Sequence, residues 1–177
     1  DWPWQSFSLH HTKPYGMGEG GLALTPQEDA EAVYALLNYG AAPDVPSDWL
    51  NNGKLSDISC AFHIDRLENS AEWAPVYQEQ ASRITGIAMS VGMEPIRPFG
   101  RTAPAMSWAF RTPTHVSLDM LQVSDGDIVF GKYYKPLADM PKTTGLYRDL
   151  LNIPTHPDMA ELSDDKIKQN LEKLLAT

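Results

Sequence analysis

The stretch Tyr15-Gly16-Met17-Gly18-Glu19-Gly20-Gly21-Leu22-Ala23-Leu24-Thr25-Pro26-Gln27-Glu28, continuing to Gly40, decides how this chain is read. Four glycines in six positions make a tightly turned loop, and a well-punctuated helix follows it. Thr25 stands as an N-cap, Pro26 at the first helical position and Glu28 at the third, where its carboxylate can reach back to the cap amide. Ala30, Val33, Leu36 and Leu37 then recur on one helical face, and Gly40 supplies a left-handed stop. The pattern predicts a helix over residues 26–39.

As a nucleotide site the loop fails on chemistry. A phosphate cradle aims backbone amides from a helix N-terminus at the anion, usually with a lysine close by. Here Leu22-Ala23-Leu24-Thr25 separates the last glycine from the helix, Glu19 sits inside the loop, and no Gly-Lys-Ser or Gly-Lys-Thr follows. The adaptable apolar residues Tyr15 and Met17 instead make the loop a candidate contact with another protein.

Working outward, Trp4 to His11 alternates Phe7 and Leu9 against polar positions and predicts a short strand. Ile58, Cys60, Phe62 and Ile64 alternate with Asp57, Ser59, Ala61 and His63 in the same way, which predicts a half-buried strand. A second helix is expected from Trp73 or Pro75 to Val91, stopped by Gly92. The Pro- and Arg-rich segment 95–113 holds a possible strand around Met106, Trp108 and Phe110. Val116–Val123 and Asp127–Tyr134 flank Ser124-Asp125-Gly126, a hairpin signal. Helices over Thr144–Leu151 and Asp164–Leu175 close the chain, the latter capped by Ser163. The order predicts an α+β or α/β sandwich: a mixed β-sheet packed with helices, a late antiparallel hairpin and a C-terminal helix. Residues 1–177 are expected to form a single globular domain, and the non-Met start allows it to be cut from a longer chain.

Composition narrows the function classes. With 42% hydrophobic and 21% charged residues the chain can bury a core. Its 14 basic and 23 acidic residues leave a net charge of −9, which disfavours nucleic acid and anionic lipid as partners. The lone Cys60 excludes an intrachain disulfide, and no apolar run approaches the ~20 residues a membrane-spanning helix needs.

Cys60 with His63 or His115 could serve a cysteine-dependent hydrolase, with Asp65 as an orienting group and His10 as another possible base. On a regular strand, however, Cys60 and His63 point to opposite faces, and Cys60 reads better as a small core residue beside Ile58 and Phe62. His10, His11, His63, His115 and His156 show no His-x-x-x-His spacing, and Asp125-Gly126-Asp127 lacks the ligand ladder of a calcium loop. No Gly-x-Ser-x-Gly elbow is present. These readings assign no catalytic residue, no cofactor and no metal. The aromatic residues Trp2, Trp4, Tyr133 and Tyr134 join Tyr15 and Met17 as partner-contact candidates.

The run from Trp4 through Leu9-His10-His11-Thr12-Lys13-Pro14-Tyr15-Gly16-Met17-Gly18-Glu19-Gly20 to Thr25-Pro26-Gln27-Glu28, with Arg97-Pro98-Phe99-Gly100-Arg101, resembles the adaptor proteins associated with type VI secretion lipase effectors. The resemblance implies a non-enzymatic bacterial adaptor, in the cytoplasm or periplasm. Its implied partners are a lipase effector and the secretion spike onto which it helps load that effector. Two other readings stand beside it: the small hydrolase using Cys60 with His63 or His115, and an immunity protein that inhibits an effector.

Overall fold

The computed structural model describes residues 3–40, 51–98, 104–123 and 127–176. Trp2, the prolines at 43 and 46, the Phe99-Gly100-Arg101 run and the turn at Ser124-Asp125-Gly126 lie outside the described residues. Helices combine with small sheets as expected of an α/β class, and every pairing between described strands is antiparallel. The chain divides into two compact units, Asp1–Ser70 and Ala71–Thr177.

In the first unit, β1 (Gln5–Ser8) pairs with β2 (Gly21–Leu24), with Phe7 opposite Leu22 and Ser8 opposite Gly21. The glycine loop is therefore the connection of a hairpin. After it, Gln27–Asp29 forms a 3-10 turn and α1 covers Ala30–Leu37, shorter than the predicted 26–39. Thr25 does not cap this helix, because its hydroxyl donates to Pro26 O at 3.0 Å. Gly40 does close it, donating its N–H to Ala35 O at 2.8 Å.

The predicted strand at 58–64 is corrected to a helix, α2 (Asp57–Glu68). Ser56 caps it by accepting a hydrogen bond from Ser59 N–H at 3.1 Å. The alternating residues Ile58, Phe62 and Ile64 are exposed on this helix, so the period-two pattern did not mark a buried face. The parallel strand pair that 58–64 would have offered β1 falls with it.

In the second unit α3 (Ser70–Ser90) buries Tyr77, Ala81, Ile84 and Ala88 at alternating spacings of three and four. Gly92, with φ +83, ends it, and Met93 N–H returns to Ala88 O at 3.1 Å. A three-stranded sheet follows in the order β3 (Glu94–Pro95), β4 (Ser107–Arg111), β5 (Leu150–Pro154). Phe110 faces Leu151 in that register, and Trp108 faces Ile153. The stretch predicted as a helix to Leu151 instead splits into α4 (Pro141–Arg148) and β5. Beside the expected late turn, Asp119–Val123 forms a 3-10 helix, and Gly131 bridges to Asn152 of β5. The predicted hairpin flanks, Val116–Val123 and Asp127–Tyr134, form no strand pair with each other among the described residues; the late antiparallel pairing is instead between β4 and β5. α5 (Asp164–Leu175) is capped by Ser163 as predicted and buries Ile167, Leu171 and Leu174. These side chains join Ile84, Ala88, Phe110, Leu151 and Ile153 in one core. Among the described residues no helix is long and apolar enough to cross a membrane.

Candidate functional site

The hairpin loop between β1 and β2 is built from backbone bonds outward. The ladder continues past the strands through Leu9 N–H to Gly20 O at 2.9 Å and His11 N–H to Gly18 O at 2.6 Å. Inside it two turns follow one another: Lys13 N–H donates to His10 O, and Gly16 N–H donates to Lys13 O, both at 2.8 Å. Only glycine fits at 16, because a Cβ there would lie 1.9 Å from His10 O. Pro14 and Gly16 are buried by this folding, whereas the side chain of Lys13 stays exposed.

The side chains around the turn are specific. Thr12 N–H donates to His10 Nδ1 at 3.2 Å, which makes Nδ1 the acceptor and leaves the proton on Nε2. That Nε2 stands 3.3 Å from Glu19 Oε1, and His11 Nδ1 stands 4.0 Å from the same oxygen. Glu19, which argued against a phosphate cradle, thus places its carboxylate opposite His10. The imidazoles of His10 and His11 lie 4.0 Å apart between centroids. His10, His11 and Glu19 also bring possible ligand atoms within 4.8 Å of one another, although the 3.3 Å polar contact of His10 with Glu19 already accounts for their approach.

Helix α2 supplies the other wall. His63, 4% exposed, is its buried residue, and its Nε2 lies 3.3 Å from Glu19 O. Arg66 donates from Nε and Nη2 to Pro14 O at 3.0 and 2.8 Å. The predicted Cys60–His63 pair sits on this helix rather than on opposite faces of a strand, and His63 is engaged with the loop. His115 lies in the second unit, where Nδ1 contacts Arg148 O at 2.9 Å.

The described contact candidates are divided between the two units. Tyr15 is half-buried and Met17 exposed on the hairpin loop, and Trp4 is exposed just before β1. Tyr133 and Tyr134 are exposed in the second unit, with ring centroids 5.7 Å apart. Neither Lys13 nor Arg66 stood out in the sequence as a site residue, and Glu19 figured there only as an argument against a phosphate cradle. The available signal was a lysine just ahead of a glycine loop, rather than after it as a phosphate cradle requires.

A second concavity, of about 390 Å³, lies between α3 and α5 and is lined by Ser82, Arg83, Ser90, Asp164, Asp165 and Lys168. Its guanidinium is already committed: Arg83 donates to Asp164 Oδ1 at 2.6 Å, to Gln80 Oε1 and Met159 O at 2.9 Å, and to Leu162 O. The groove is a structural junction, and the lysine hairpin is the stronger site.

Residues 3–172 match the model of the DegT/DnrJ/EryC1/StrS aminotransferase family. The structure resembles a DegT DnrJ EryC1 StrS aminotransferase from Brucella abortus, with a TM-score of 0.76 at 20% identity over 99% of this chain and 52% of that one. Spr1654 of Streptococcus pneumoniae, described as a sugar aminotransferase and solved in its PMP form, gives 0.75 at 17% identity over 98% and 52%. DesI, solved in the presence of its TDP-sugar product, gives 0.73 at 20% identity over 98% and 49%. At such identities the likeness establishes the fold, and the chain spans about half the length of these proteins. Protein Rv3402c of Mycobacterium tuberculosis is 42% identical over 64 residues, which is 34% of this chain and 15% of that protein.

The match overturns the expected type VI secretion adaptor, with its lipase effector and spike partners. The run from Trp4 to Glu28 that carried the resemblance lies inside the 3–172 match, and the matched family is one of enzymes. The cysteine-hydrolase and immunity-protein readings fall on the same finding, as does the expectation of a non-enzyme.

Proposed function

This chain belongs to the DegT/DnrJ/EryC1/StrS aminotransferase family, and from that premise we propose that it is the lysine-bearing part of a pyridoxal phosphate-dependent enzyme that aminates a nucleotide-linked sugar. The cofactor class is supported by Spr1654, solved in PLP and PMP forms, and the substrate class by DesI with its TDP-sugar product. Pyridoxal phosphate, when bound, supplies an aldehyde that captures a primary amine and a ring that accepts electrons from the reacting carbon.

The observation that carries the reading is Lys13: an exposed amine on a turn whose backbone is bonded on both sides. The other lysines fit less well. Lys132 is buried against Arg148 O and Leu150 O, Lys166 pairs with Asp127 at 3.0 Å, and Lys168 stands 3.8 Å from Glu172. Lys54, Lys135, Lys142 and Lys173 are exposed and lie outside the paired turns of the hairpin loop. Lys13 Nζ is therefore the amine that would hold the cofactor, and the same nitrogen is the base that can carry a proton to and from substrate. The fixed backbone limits where that nitrogen can reach, which is the positional control such chemistry needs. His10, whose ring lies between Thr12 and Glu19, accepts the Lys13 N–H on its own backbone carbonyl.

Incubation with pyridoxal phosphate, borohydride reduction and peptide mapping test the assignment. We expect the label on Lys13 and its loss in Lys13→Ala. Label spread evenly over Lys54, Lys135 and Lys142, or unchanged in the variant, would sink it. Transfer of an amino group from an amino acid to a nucleotide-linked keto sugar tests the reaction class.

A further inference from the structure

We propose that Arg66 is a positioning residue for the Lys13 amine, acting through the carbonyl of Pro14. The inference rests on the reading of Lys13 as the cofactor-holding amine and adds how the fold aims it.

The argument begins with an inversion on α2. Its apolar residues Ile58, Phe62, Ile64 and Leu67 are exposed, whereas the side chains it turns onto the hairpin are polar. His63 and Arg66, three residues apart, share one helical face, and both end on backbone carbonyls of the loop. Their targets lie on opposite limbs of that loop: Glu19 O on the returning limb, and Pro14 O directly after Lys13. The Pro14 contact is the stronger of the two, because two N–H groups of a guanidinium meet one oxygen at 3.0 and 2.8 Å.

Pro14 has a fixed φ and no N–H of its own, so its conformational freedom lies in the rotation that swings its carbonyl. Arg66 holds that carbonyl. The peptide before it is held by Gly16 N–H on Lys13 O, and the amide of Lys13 by His10 O. The backbone on both sides of the lysine Cα is thus bonded while its side chain remains accessible. The guanidinium therefore adds order at the peptide directly after the lysine.

The test compares the whole chain with Arg66→Met and Arg66→Lys. Two readouts are taken: hydrogen exchange at the Gly16 amide without cofactor, and the share of borohydride-fixed pyridoxyl label on Lys13 relative to Lys135. Arg66→Met should speed Gly16 exchange and lower the Lys13 share by about tenfold, the loss expected for a charge-assisted hydrogen bond. Arg66→Lys, which can return one donor but not the fork, should lie between Met and wild type, a graded rescue that a merely space-filling role would not give. Wild-type label without preference for Lys13 would remove the cofactor reading, while Gly16 exchange still reports the clamp by itself. Preferential Lys13 labelling that is equal in wild type and Arg66→Met would overturn the positioning role. Should Arg66→Met fail to fold, Arg66→Lys decides alone: labelling equal to wild type overturns the proposal, and a loss of about threefold or more supports it.

Discussion

Lys132 is the residue whose setting most conflicts with its charge. Its ammonium, on a residue only 7% exposed, donates to Arg148 O at 3.0 Å and Leu150 O at 2.8 Å and lies 4.7 Å from the Tyr147 ring centroid. Burial lowers its pKa below 10.5, and the nearby Asp149 carboxylate opposes that shift. Between the folded-state pKa and 10.5 the unfolded chain binds more protons, so stability rises with pH across that alkaline window. Below the folded-state pKa the cost of burying the charge is constant. Lys132→Met removes this titration, although it strands the two carbonyls and lowers stability by roughly 1–3 kcal/mol at neutral pH. Urea midpoints followed up to pH 10.5 should climb more steeply in wild type than in the variant. Parallel curves would show that the ammonium is not destabilised by its site. Asp149 acts at the other end of the scale. Its carboxyl is held below the usual range first by the hydrogen bond from Arg148, so the stability it adds is present above that range and fades as pH falls. Arg148 is exposed and Asp149 half-buried, so the contribution of the pair is small.

At the scale of elements, Arg83 joins α3 to the segment that leads into α5. One guanidinium satisfies Met159 O and Leu162 O and pairs with Asp164 in the first turn of α5. Arg83→Met keeps much of the stem but leaves those carbonyls without their donor, at a cost of about 2 kcal/mol. Chemical denaturation measures this, and a change under about 0.5 kcal/mol would assign the contact to the surface class that contributes little. Elements with local signals were legible. α5 has its Ser163 cap and the stripe Ile167, Leu171 and Leu174, and α3 has its Gly92 stop. α2 was misread because Ile58, Cys60, Phe62 and Ile64 alternate, yet Ile58, Phe62 and Ile64 are exposed and Cys60 only half-buried, and the Ser56–Ser59 cap was the deciding signal. β5 was misread for the opposite reason. Leu150, Leu151, Asn152 and Ile153 are all buried, so the strand carries no alternation and resembled the end of a helix. The site was hidden more deeply, because its decisive contacts join residues 44 and 52 apart, His63 with Glu19 and Arg66 with Pro14.

Across the whole molecule, burial is uneven. The main core, from Ile84 and Phe110 to Leu151 and Leu171, lies entirely within Ala71–Thr177. In Asp1–Ser70 the β1–β2 sheet has two strands and no buried residue, and Trp4, Phe7, Leu22 and Leu24 are all exposed. An isolated two-stranded sheet is marginal in water, because its ladder has no packed face to support it. The hairpin here draws its order from the loop bonds at Leu9 and His11 and from His63 and Arg66, all close to the Lys13 turn. Order should therefore be graded along the hairpin, firm at the turn and weak toward Gln5 and Leu24. Hydrogen exchange on the whole chain would read this directly. Amides of Ile84, Phe110 and Leu151 should exchange by global opening. Amides toward the open end of β1–β2 should exchange orders of magnitude faster, with Gly16 and His11 between them. Protection of Phe7 and Leu22 equal to that of Phe110 would contradict the gradient and would require the bare sheet to be covered in solution.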